Sequence, residues 1–203
     1  MTEVYVDAAL AGSTSGATVV WNAGKESRRG VTFGTNGFAT MSTAIAALTS
    51  GGTIWLANTT VVAPATITKA MTIRGADGTL ELEDPLVVSG VAVRFRDVTF
   101  TLKSGESALT TQVKAESRAT VGLMHCTFSA TSTTAAESSG LESAVAVVGC
   151  TIGDDVVQDK AVVGRNGGAA SIFAATTQPA GGPCGRHGRH FRHKMRLDAP
   201  AEY

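Results

Sequence analysis

The residues best suited to chemistry stand in two places. Asp154 and Asp155 are adjacent in "TIGDDVV", and paired carboxylates can protonate a leaving oxygen and activate water. Their ordinary reading is a solvated turn after a strand. Near the C-terminus, Cys184 is followed by His187, His190 and His193, the histidines at every third residue. These four are the candidate metal ligands. Zinc sites usually combine two preorganised ligand clusters, and here there is one. A disordered basic end is the expected state, and no cofactor is expected.

Charge follows the same division. The 203 residues carry 17 basic and 17 acidic side chains, but five of the basic ones lie between Arg186 and Arg196, so residues 1–183 hold 12 against 15. The body is mildly acidic and the tail basic. A neutral total gives no global attraction to nucleic acid or an anionic membrane, and between Arg186 and Arg196 Phe191 is the one phenyl ring on which a base could stack, so no specific nucleic-acid partner is expected. No apolar run approaches the roughly eighteen residues of a membrane span. The opening "MTEVYVDAAL" lacks the basic start and apolar stretch of a secretory signal. "GRNGG" at Gly164 has glycines without the lysine and hydroxyl of a phosphate loop.

The elements that must position these groups are announced by a repeat. "VRFRDVTFT" starts at Val93, "VGLMHCTFS" at Val121 and "VAVVGCTIG" at Val145, starts 28 and 24 residues apart. "MTIRG" at Met71 lies 22 residues earlier, and Ile54 of "TIWLA" 17 before that. Constant short strands joined by turns of variable length are the mark of a β-solenoid, since blades and helical repeats hold a tighter length. Within a unit Val93 and Phe95, then Val98 and Phe100, alternate with the period of a strand. The phase break between Phe95 and Val98 predicts a bend. Val98, Cys126 and Cys150 are expected to stack on successive coils, and Phe100, Phe128 and Ile152 to form a second ladder. A disulfide needs specific Cβ geometry, and buried free cysteines at Cys126 and Cys150 are the expected state. "TLKSGESALTTQVKAESRAT" and "SATSTTAAESSGLES" read as polar loops.

Ahead of the coils, Phe38, Met41, Ile45 and Leu48 define one face of a helix over residues 38–50, with Thr40 as N-cap and Gly51 and Gly52 as the stop. Its expected work is to cover the open end of the solenoid, preceded by strands at "VYVDA" and "ATVVW". "KAVVG" and "ASIFAATT" are expected to supply a last coil. Residues 1–52 are therefore assigned to the capping end, 53–178 to the coils and 179–203 to the tail.

"VYVDAALAG", "FGTNGFATMSTAIAAL", "GGTIWLANTT" and "ITKAMTIRGADG" together resemble the start of right-handed parallel β-helices of the pectin lyase-like superfamily. They look most like the passenger repeats of bacterial surface adhesins and autotransporter-like proteins. The resemblance spans about residues 4–153 and implies an all-β, right-handed parallel β-helix with a short N-terminal capping helix. It specifies function poorly, because the same opening occurs in tailspikes, pectate lyases and polygalacturonases.

Polygalacturonase-like enzymes carry a Gly-Asp-Asp segment, which Gly153, Asp154 and Asp155 match. No Asn-Thr-Asp precedes it here, and no Arg-Ile-Lys follows the "RHG" at Arg186. Pectate lyases need acidic calcium ligands beside a basic residue, for which Glu81, Glu83, Asp84 and Asp97 with Arg94 and Arg96 are the available set. Arg94, Arg96, Glu81 and Glu83 alternate with apolar residues, so an outward mixed-charge strand face is their simpler reading. The leading expectation is thus a non-catalytic module for display and binding, a part of a longer protein at the cell surface or secreted, with carbohydrate or a host surface as partner. The alternatives are a polysaccharide lyase or glycosidase, and a phage tailspike segment.

Overall fold

Strands recur in threes along most of the chain. The structure, a computed structural model, describes residues 1–23, 26–75, 78–153, 156, 161–173 and 176–178. An N-terminal unit comprises β1 (Glu3–Val6), β2 (Thr18–Ala23), β3 (Glu26–Thr32), β4 (Gly37–Phe38) and helix α1 (Met41–Ala47). The first triplet is β5 (Gly52–Leu56), β6 (Thr60–Val62) and β7 (Thr66–Ile67), and the second β8 (Met71–Gly75), β9 (Thr79–Leu82) and β10 (Leu86–Ser89). The third is β11 (Ala92–Arg96), β12 (Thr99–Leu102) and β13 (Leu109–Glu116), and the fourth β14 (Thr120–Met124), β15 (Thr127–Phe128) and β16 (Ser132–Ser139). A fifth follows as β17 (Ala144–Val148), β18 (Thr151–Gly153) and β19 (Val162–Arg165), and then β20 (Ala169–Phe173) and β21 (Thr176–Gln178).

Each member of a triplet joins its own parallel sheet. The first sheet runs β4, β1, β5, β8, β11, β14, β17, β20; the second runs from β6 to β21 and the third from β7 to β19. The protein is a β-solenoid whose three sheets enclose one apolar core. Val93, Val121 and Val145 stack in register, as do Phe100, Phe128 and Ile152, and all six are buried. Burying each such side chain contributes roughly 1.5–3 kcal/mol, so the ladders supply the stability that isolated short strands lack.

The expected bend falls at Asp97, whose φ of 54° turns the strand so that both Phe95 and Val98 point inward. His125 and Gly149 repeat that conformation one and two coils on, with φ of 51° and 59°. Side chains other than glycine seldom adopt it, and aspartate and histidine are among the more tolerant.

Thr40 caps α1 as expected, its hydroxyl accepting from the Thr43 amide. The helix is shorter than the sequence pattern indicates. It ends at Ala47, where the Lys69 ammonium donates to the carbonyl oxygens of Ile45 at 2.5 Å and Leu48 at 2.8 Å. A cation there satisfies orphan carbonyls and complements the helix dipole. Phe38, Met41, Ala44 and Leu48 join the solenoid core at the end where β4 is the edge strand. β2 and β3 form an antiparallel hairpin, and Trp21 packs edge-on to Tyr5 while its indole N–H donates to the Val6 carbonyl.

Two expectations are corrected. The stretches read as polar loops contain β13 and β16, the longest strands of the molecule's described part, so each coil has three strands rather than two. Their inward positions include Ala115, Thr134, Ala136 and Ser138, too small to show as hydrophobic alternation. The second correction is a register. Met71 pairs with Gly52, and Ile54 pairs with Ile73, a spacing of 19 rather than 17 residues. A slip of two leaves inside and outside unchanged, so periodicity cannot detect it.

Candidate functional site

The third sheet carries a concavity on its outward face. Its outward row runs Thr66, Val87, Lys114, Glu137, Val163 through successive register pairs. With Asp84 and Thr110 from the adjoining turn and strand start, Thr66, Val87, Lys114 and Glu137 of this row line a groove of about 400 Å³ that opens broadly to solvent. The walls therefore rise from hydrogen-bonded strands, which hold side chains more rigidly than loops do.

Glu137 is the most enclosed charge in the groove, its side chain 13% exposed and its carboxylate 3.3 Å from Arg165 Nε. Lys114 lies 3.8 Å from Glu116. Hydroxyls, an ammonium and two carboxylates around a short apolar floor at Val87 and Pro85 form a set of donors and acceptors suited to a polyhydroxylated ligand.

Behind the wall is Gln112, wholly buried where β13 turns its side chains inward. Its amide nitrogen donates to the Ala130 carbonyl at 2.8 Å and to Ser132 Oγ at 2.9 Å, tying β13 to the next coil. Among the described residues its carbonyl oxygen has no hydrogen-bond partner. The only sequence signal for Gln112 was its place among threonines, which pointed to a loop.

The residues singled out from sequence separate. Asp154 and Asp155, and Cys184, His187, His190 and His193, lie outside the described residues. Glu81 faces outward from β9 in the second sheet, Glu83 pairs with Lys103, and Asp84 reaches the groove. Arg94 and Arg96 stand on the first sheet, with Asp97 between Arg96 at 3.3 Å and His125 at 3.5 Å. The mixed-charge face expected of Arg94, Arg96, Glu81 and Glu83 is thus divided, with Glu81 on the second sheet and the two arginines on the first. Among the described residues no group of three or more His, Cys, Asp or Glu side chains could hold a metal ion, and no helix is long and apolar enough to cross a membrane.

Cys126 and Cys150 are buried free thiols at equivalent corners of consecutive coils, as expected. The Cys126 amide donates to Cys150 Sγ at 3.3 Å. The neighbouring sulfur, and after it burial, push the Cys126 thiol well above its ordinary range. Comparison with known protein families, curated proteins and solved structures finds no match to this chain, so the β-solenoid rests on its own strand pairing.

Proposed function

We propose that the chain is a non-catalytic binding and display module, of the kind represented by the β-helical passengers of bacterial surface adhesins, and that the third-sheet groove is its carbohydrate contact. The observation that carries this reading is the placement of Thr66, Lys114 and Glu137 on one register row of a rigid sheet. A solenoid repeats such a row coil after coil, which suits an extended chain of sugars better than a compact metabolite. Export within a longer surface or secreted protein belongs to the same reading.

A polysaccharide lyase or glycosidase is the second reading, and one observation favours it: Asp84, Lys114 and Glu137 line the same concavity. The two readings part on turnover. Arrayed oligosaccharides tested for retention, then incubated in solution with the protein and analysed for shortened products, decide between them. Retention without products supports the binding module, and products support the enzyme.

A further inference from the structure

A second surface lies on the outward face of the first sheet, away from the groove. One outward row runs Glu3, Thr53, Thr72, Arg94, Gly122, Ala146, Ser171, and the next Tyr5, Trp55, Arg74, Arg96, Met124, Val148, Phe173. Arg74 is the register neighbour of Arg96, and Arg94 stands two residues from Arg96 on the same strand. Like charges on directly neighbouring strand positions repel.

The surroundings offset this only in part. Arg74 lies over the Trp55 ring at 4.5 Å, and Arg96 is 3.3 Å from Asp97. The Arg94 stem passes beside Gly122, where an added Cβ would lie 3.6 Å from it, in ordinary contact. Among the described residues, neither Arg74 nor Arg94 forms an ion pair. Three guanidinium groups therefore share one patch with one nearby carboxylate.

We propose that this patch binds a sulfated polysaccharide. Guanidinium forks match the oxygens of a tetrahedral anion and keep their charge at every accessible pH. The arginines cluster on two adjacent strands and then give way to Gly122 and Met124, which fits the dense charge of a sugar bearing more than one sulfate better than the single carboxylate per sugar of a polyuronate. Gly122, Ala146 and Thr72 leave a low floor beside the patch for the sugar chain. Other polyanions fit less well. The sheet interior has no free backbone edge with which to pair a peptide. Trp55, the ring in register contact with the arginines, is covered by Arg74, and the exposed Phe173 at the far end of the same row stands three strands from Arg96, so no ring lies beside the charge for a base to stack on.

The test uses the full chain on immobilised dextran sulfate, with plain dextran as blank. Arg94→Gln combined with Arg96→Gln is expected to weaken binding about tenfold or more, as loss of two charge-assisted contacts implies. A second variant with Arg186, Arg189, Arg192, Lys194 and Arg196 all changed to Gln is expected to bind like the wild type. Circular dichroism checks folding, and Arg94→Glu alone, at an exposed position, gives the same reading if the double variant fails to fold. The proposal is overturned if folded arginine variants bind as the wild type does, or if the tail variant loses binding. It is equally overturned if the wild type prefers single-stranded DNA or polygalacturonate to dextran sulfate.

Discussion

Phe100 and Phe128 lie in register on consecutive coils, their rings 5.2 Å apart and 13° from parallel, and Phe95 meets Phe100 edge-on at 5.4 Å. This aromatic group sits at the middle of the stack, where the second sheet turns from the first. Phe128→Ala removes a ring from contact with the coil below and leaves a cavity. A loss of about 3–5 kcal/mol is expected, read from the denaturant midpoint, with Phe128→Leu losing less.

Lys69 ties the second coil's approach to the end of α1. Lys69→Met keeps the aliphatic stem but strips the helix carbonyls of their donor. It should lower stability by about 1 kcal/mol and raise amide exchange near Leu48 ahead of the coil strands. Unchanged exchange in α1 would show that the lysine does not hold the helix.

The paired cysteines give a chemical test of the core. The hydrogen bond between the sulfurs raises Cys126 and lowers Cys150, so what protects the pair from reagent is burial of both in the corner. Alkylation of the native protein should leave Cys126 and Cys150 unmodified, and both should react after unfolding. Peptide mapping reads the outcome, and native-state labelling of either would contradict the stacked corner.

Lys103 is held above its ordinary pKa of 10.5 by hydrogen bonding and attraction to Glu83. A raised lysine contributes stability below its unfolded pKa, and that contribution is lost as pH rises through the folded value. Both partners are about two-fifths exposed, so the effect on stability is slight and is best read at the residue. Glu83→Gln should return the Lys103 titration toward 10.5, followed by NMR of the side-chain methylene.

Much of the solenoid was legible because its first and second sheets are built from large residues. Val93, Val121 and Val145 advertise their equivalence, and Phe95 and Val98 show the corner between two strands. The third sheet hid behind alanine, serine and threonine. Ala115 and Ala136 fill inward positions without the hydropathy contrast that reveals a strand. The groove was hidden with it, since Lys114 and Glu137 become neighbours only once β13 and β16 are paired. Arg94 and Arg96 were visibly outward, yet their neighbour Arg74 emerges only from the coil-to-coil register. Pairing across a gap of about twenty residues is set by turn lengths, and alternation alone carries no information about it.

The groove on the third sheet is the centre of the functional account, and filling it is the most direct test. Val87 faces outward between Thr66 and Lys114, so Val87→Trp occupies the floor without touching the core. Calorimetric titration with the uncharged oligosaccharide best retained by the wild type should show about tenfold or greater weakening in the variant, a change of about 1.4 kcal/mol or more, and no product from either protein. Equal affinity in a folded Val87→Trp protein, or release of shortened sugar by the wild type, would contradict the account.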